Sequence, residues 1–233
     1  MIGIHSLEAA TVDWTSLDER GYAVLPSLFD AVACGSLAAF YDEPARFRSR
    51  IVMSRHGFGR GEYQYFAYPL PPVIGALRRE IYAALAPIAN RWNERMGMES
   101  PFPATHEEFI LRCHGAGQRR PTPLLLRYVE GDFNCLHQDL YGEHVFPLQM
   151  AVLLSQPGED FRGGEFVLTE QRPRQQSRVE VVPLKQGDAV VFAVNERPVR
   201  GARADYRVKM RHGVSRLRSG RRLTLGIILH DAA

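Results

Sequence analysis

The rhythm of apolar and polar positions changes about halfway along the chain. In the first half it is helical. Ile74, Leu77, Ile81, Leu85, Ile88 and Trp92 recur three or four apart, the spacing of one helix face, directly after Pro71-Pro72, a helix-start signal. An earlier helix is expected to run from a Ser27 cap to about Tyr41, and a first short one to start at Ser6 or Thr15. Arg46 to Tyr68, rich in arginine, glycine and aromatics, reads as mixed loop and strand. After about Pro121 the runs shorten and become strand-like: Leu124–Val129, Leu148–Leu154, Glu165–Thr169, Arg178–Val182, Ala189–Val194, Tyr206–His212 and Leu223–Leu229. Glycine, proline, aspartate or serine separates them, which is the pattern of a sandwich or barrel. No strand alternates with a long helix, which argues against a parallel sheet. The pattern therefore predicts an α+β protein in one compact unit, with a helical support and lid region over 1–120 and a β core over 121–233.

Composition adds limits. The 233 residues are 45% apolar and 24% charged, enough apolar surface to bury a core and too much for a disordered chain. No apolar run nears the roughly 18 residues that span a bilayer. Met1–Trp14 carries Glu8 and Asp13 and lacks a secretory pattern, so a cytoplasmic location is expected. Cys34, Cys113 and Cys135 are too few and too scattered for a disulfide framework. The net charge of +3 conceals polarity. Arg197–Arg222 holds ten basic residues and one acid, Asp205, leaving 19 basic and 25 acidic residues elsewhere. That stretch has three readings: a rim for nucleic acid or another acidic partner, a solvated surface, or residues with separate tasks.

The sharpest local chemistry is Leu136-His137-Gln138-Asp139. On a strand, residues two apart project from one face, so His137 and Asp139 can converge on one cation. His212, closing the run Tyr206–His212, is the best third ligand, and His144 is its rival. Two histidines and one carboxylate form the facial triad of non-haem Fe(II) oxygenases. Arg222 lies ten residues after His212, beyond the turn residues Ser219-Gly220, so a hairpin is expected to set the two on adjacent strands. Alternation aligns Arg222, Thr224 and Gly226 on one face. A buried arginine needs a partner, and its planar fork suits a carboxylate.

These residues carry a resemblance. His137-Gln138-Asp139, Gly163-Gly164-Glu165-Phe166, Gly187–Phe192, His212-Gly213-Val214 and Arg222 resemble the Fe(II)- and 2-oxoglutarate-dependent dioxygenases, whose core is a double-stranded β-helix, or jelly roll. Leu125-Leu126-Arg127-Tyr128 looks like the Asn-Arg-Tyr stretch of alkylation-repair dioxygenases, with Leu126 in place of the asparagine. Their second, more C-terminal arginine is absent, and the last strand is closer to that of prolyl hydroxylases. The phrases His137–Pro147, Gly164–Pro173 and Arg211–Gly220 resemble a bacterial oxygenase family labelled as acting on damaged nucleic acid. The resemblance implies iron on His137, Asp139 and His212, 2-oxoglutarate paired with Arg222, hydrogen bonds from Tyr128 and Thr224, and O2 as oxidant, with release of succinate and CO2. It leaves the prime substrate open among a modified nucleic acid, a protein side chain and a small molecule.

Blander readings stand beside these. A jelly roll can bind another metal, or none, without catalysis. Tyr128 can simply fill core, and Cys135 reads as a small buried residue. In Arg55–Tyr68 the strand part is expected to pack on the barrel, while its glycines suit a mobile lid over the cavity. Nothing in the sequence fixes the oligomeric state.

Overall fold

The apolar stripe after Pro71 folds as expected. In the computed structural model, which describes residues 12–233, Pro72–Arg95 is one helix that buries Ile74, Leu77, Ile81, Leu85, Ile88 and Trp92. The helices are α1 (Thr15–Arg20), α2 (Ala31–Ala39), α3 (Pro72–Arg95) and α4 (His106–Gly115). The strands in the first half are β1 (Tyr22–Leu25), β2 (Phe47–Val52), β3 (Gly59–Arg60) and β4 (Glu62–Phe66). Those in the second half are β5 (Leu124–Val129), β6 (Phe133–His137), β7 (Leu148–Leu153), β8 (Phe161–Gly163), β9 (Phe166–Gln171), β10 (Arg178–Val182), β11 (Ala189–Ala193), β12 (Glu196–Arg200), β13 (Asp205–Val214) and β14 (Leu217–Ile227).

Two antiparallel sheets face each other. The larger runs β1-β11-β7-β14-β5-β4-β2, with β8 paired to β14, and the smaller runs β10-β9-β13-β6-β3, with β12 paired to β13. From β5 onward the chain passes repeatedly between the sheets, which is the jelly-roll arrangement within an α+β protein. Helix α3 covers the outside of the larger sheet: its stripe shares one core cluster with Leu125, Leu148, Met150, Val152, Val191, Leu223, Leu225 and Ile227. Between the sheets Tyr22, Phe166, Leu168, Val182, Val190 and Phe192 form a second cluster.

Several details depart from the sequence expectation. Helix α2 starts later than Ser27, because Asp30 caps it by accepting from the Ala33 amide at 2.7 Å. Ser27 instead adopts a φ of 52° and donates its amide to Asp188. Of the two candidate caps for the first helix, Ser6 lies outside the described residues, and Thr15 opens α1. Arg46–Tyr68, read as mixed loop and strand, supplies β2 and β4 to the larger sheet and β3 to the smaller one, but the larger sheet also takes β1 from the part read as helical. The expected hairpin between His212 and Arg222 does not form: β13 and β14 belong to opposite sheets. The chain crosses over at Ser215-Arg216, and Ser219-Gly220 lies inside β14, against β8. Gly220 needs a φ of 82°, and any Cβ there would strike the Asp160 carbonyl, so this glycine serves a close strand approach rather than a turn.

A buried polar pin holds the C-terminal end. Arg78 of α3 donates to the Ile228 carbonyl at 2.9 Å and pairs with Asp231 at 2.8 Å, and both side chains are almost fully buried. Tyr68 donates a further hydrogen bond to Asp231.

Candidate metal centre

The crossing between sheets builds the site. His137 ends β6 and pairs in register with His212 on β13, so the two imidazoles lie side by side, ring centres 4.1 Å apart. Asp139 follows two residues beyond the end of β6; it is not on a strand, yet it converges as the spacing predicts. Its carboxylate lies 3.5 Å from His137 Nε2 and 3.3 Å from His212 Nε2. One ligand atom from each of the three residues falls within 4.8 Å of the others. His144 is not part of this group, and its amide donates to Gln118 instead. Cys135 is exposed rather than buried: a bulge in the β6–β13 pairing puts both Asn134 and His137 in register with inward-facing residues of β13.

Hydrogen bonds set the ligand atoms. His137 Nδ1 lies 2.7 Å from the Cys135 carbonyl, which can only accept, so Nδ1 carries the proton and the Nε2 lone pair is free. Burial, and then the neighbouring His212, lower the His137 pKa and favour this neutral form. Burial alone would raise the Asp139 pKa, but His212, His137 and the hydroxyl of Tyr141 outweigh it and hold the carboxyl well below the usual range. Tyr141 donates to Asp139 at 2.6 Å and Gln149 donates at 2.8 Å from the other side. Two imidazoles and one carboxylate, mutually close in one pocket, form a donor set suited to a divalent cation.

Across the cavity, Arg222 and Thr224 project from β14 on one face, as alternation requires. Arg222 pairs in register with Tyr128, and its Nη1 donates to Thr224 Oγ1 at 2.6 Å. Arg222 is 2% exposed, and its Nε has no hydrogen-bond partner. Burial pulls its pKa down to about 10. The Tyr128 hydroxyl is likewise buried without a partner. A cation buried this deeply with a single hydroxyl acceptor has an unfilled demand for an anion.

The cavity between these groups has a volume of about 220 Å³. It is lined by the triad, Arg222, Thr224 and an aromatic wall of Phe58, Tyr63, Tyr65, Tyr128 and Tyr141. The strand part of Arg55–Tyr68 packs into the larger sheet as β4, and its glycine part runs along β6 and brings Phe58 to the cavity. Of the ten basic residues in Arg197–Arg222, only Arg222 lines the cavity. Arg197 is fully buried, where it pairs with Glu170 and donates to the Asp18 carbonyl. Arg207, Lys209 and Arg211 are exposed and alternate with the buried Val208, Met210 and His212.

Gln149 and Tyr141 escaped the sequence reading. Gln149 left one signal, as the single polar residue in the apolar run Leu148–Leu154. Tyr141 left none beyond its nearness to Asp139.

The chain is 49% identical over 168 residues to an uncharacterized protein of Mycobacterium tuberculosis, the match covering 72% of each chain. Its fold is similar to that of an oxidoreductase of the 2OG-Fe(II) oxygenase family from Burkholderia pseudomallei, with a TM-score of 0.51 and 18% identity over 94% of this chain and 90% of that one. It is also similar to a prolyl-4-hydroxylase of Pseudomonas putida, with a TM-score of 0.50 and 15% identity over 91% of this chain and 93% of that one. At such identities the likeness is one of fold. The family model described as "Oxygenase, catalysing oxidative methylation of damaged DNA" matches residues 61–232, and the chain belongs to that oxygenase family.

Proposed function

We propose that the protein is an Fe(II)- and 2-oxoglutarate-dependent dioxygenase that hydroxylates or oxidatively demethylates a modified nucleic acid. The carrying observation is the pairing of the His137–Asp139–His212 cluster with a buried, anion-deficient Arg222 in one cavity. The triad would hold iron and leave coordination positions open. Arg222, assisted by Thr224 and Tyr128, would hold the distal carboxylate of 2-oxoglutarate. When bound, iron and co-substrate supply the oxidising chemistry, in which O2 yields succinate, CO2 and an oxygenated substrate.

The chain's own contribution is placement. His137 presents Nε2 because Cys135 fixes its tautomer. Tyr141 and Gln149 hold the two oxygens of Asp139 in orientation. Phe161 and Tyr128 flank the Arg222 guanidinium with their aromatic rings, which lowers the local polarity and strengthens its attraction for a carboxylate. The cavity has room for roughly seven water molecules, enough for a small dicarboxylate and one protruding group of a substrate. The aromatic rings on its wall suit a flat, unstacked base.

A second reading, hydroxylation of a protein side chain or small molecule, is favoured by one observation: apart from Arg222, no member of the basic stretch lines the cavity. A methylated single-stranded oligonucleotide separates the two. Under the first reading it accelerates succinate release by the Fe(II)-loaded protein, and its binding weakens steeply with salt. No acceleration, with salt-insensitive binding or none, favours the second. His137→Ala is expected to abolish succinate release; release at the wild-type rate in that variant would remove the enzyme reading altogether.

A further inference from the structure

Arg222 faces two cavities. On one side lies the cavity of the triad. On the other lies a second cavity of about 350 Å³, lined by Leu153, Phe161, Phe166, Val182 and Leu184, with Arg222 in its wall. The guanidinium carbon is 5.7 Å from the ring centre of Tyr128, which faces the first cavity, and 5.9 Å from that of Phe161, which faces the second. The backbone approaches Arg222 closely on this side. Gly164 passes so close behind Arg222, at a φ of 65°, that a Cβ there would meet Leu217 and lie 3.1 Å from Arg222 Cδ. The rear cavity reaches solvent, because its lining includes the exposed residues Gly158, Arg162, Glu165 and Pro183.

We propose that this rear cavity is a separate passage for a small dicarboxylate, through which 2-oxoglutarate reaches Arg222 and succinate leaves. The proposal rests on the iron and 2-oxoglutarate reading above. Its logic is steric. A substrate seated against Phe58, Tyr65 and Tyr141 covers the front cavity and blocks exchange there. A passage ending on the far side of Arg222 lets spent co-substrate be replaced while the substrate stays in place. The buried Nε of Arg222, which has no partner, supplies the attraction at the inner end. Arg162 supplies it at the outer end, beside Glu165, whose carboxylate is engaged by the Ser215 hydroxyl, and the walls between are apolar.

A passage alters rates of entry and exit together and leaves the equilibrium alone, and this distinguishes it from a binding contact. The test is anaerobic stopped-flow mixing of the full-length, Fe(II)-loaded protein with 2-oxoglutarate, followed by the visible metal-to-ligand charge-transfer band. Pro183→Trp, on the exposed rear rim, is expected to slow association and dissociation each at least fivefold and to move Kd less than twofold. Arg162→Glu, also exposed, is expected to slow association at least fivefold at low salt, less so at high salt. Association at the wild-type rate in both variants overturns the passage, as does slowing confined to Phe58→Trp at the front cavity. Absence of any band in the wild-type protein overturns the iron and 2-oxoglutarate reading, and the passage with it.

Discussion

Arg222 carries a charge that the protein alone does not balance, and this makes it the most sensitive single position in the site. It is buried, donates to one threonine hydroxyl and leaves Nε unbonded. Arg222→Ala is expected to raise the 2-oxoglutarate concentration for half-saturation at least a hundredfold while leaving iron binding within a few-fold of wild type; isothermal titration with each ligand checks both. Gln149 works one step further out. It touches Asp139 and, at 3.2 Å, His212, so Gln149→Ala is expected to weaken metal binding about 10- to 100-fold without unfolding the protein. Unchanged metal affinity would reduce Gln149 to a core-filling role. The triad was legible at this scale because His-x-Asp carries its own geometry. Gln149 was not, because its significance depends on which strand faces β6 and β13 across the barrel, and spacing along one strand does not encode that.

At the level of elements, helix α3 was the clearest prediction, since six apolar positions at one period leave a single face to bury. Truncating that face at Ile81, which is fully buried, is expected to cost about 2–5 kcal/mol by chemical denaturation. Helix α4 was invisible to the same reading, because its ten residues bury only His106, Phe109 and Cys113. His106 gives it a pH signature. Its Nε2 lies 2.9 Å from the Leu229 carbonyl, and burial, then the positive charge of Arg78, lower its pKa from 6.5 to about 4. The folded state therefore prefers the neutral ring. Its contribution is complete above about pH 6.5 and is lost progressively as the pH falls toward 4, a loss on the order of 3 kcal/mol. Denaturation at pH 7 and pH 4.5 should show that loss in the wild type and a flatter dependence in His106→Gln. Equal slopes would mean that His106 is not the titrating group. The misplaced hairpin before Arg222 belongs to this scale too. Ser219-Gly220 has turn chemistry, but the close approach of β8 to β14 claims the glycine, and the crossover falls four residues earlier.

For the whole molecule, the charge count divides differently in space than along the chain. The basic stretch that looked like one patch is divided, and five of its ten members show how. Arg222 faces the cavity, Arg197 is locked onto Glu170 in the interior, and Arg207, Lys209 and Arg211 occupy the outer face of the smaller sheet. Arg197→Ala removes one of two close arginines from the buried Glu170, which keeps Arg172 at 2.7 Å, and is expected to destabilise the fold by about 1.5–3 kcal/mol. Charge reversal at Lys209 and Arg211 is expected to leave the fold within about 0.5 kcal/mol of wild type, as for exposed surface substitutions generally. Whether that reversal weakens oligonucleotide binding reports on the outer face alone, apart from the cavity. The architecture was legible as helices beside many short strands. The strands of Arg46–Tyr68, which became β2 to β4, were legible as a mixed loop and strand region, whereas β1 was not, because its four residues lie between helical signals.

The proposed function places iron on His137, Asp139 and His212 and 2-oxoglutarate on Arg222, in one cavity. Its most direct test is an anaerobic titration of the purified protein with Fe(II) and then 2-oxoglutarate, read by visible absorption. A charge-transfer band is expected that appears only with both ligands, saturates at one equivalent of each, and is lost in Asp139→Ala. A protein that binds neither ligand, or a band that persists unchanged in Asp139→Ala, would contradict it.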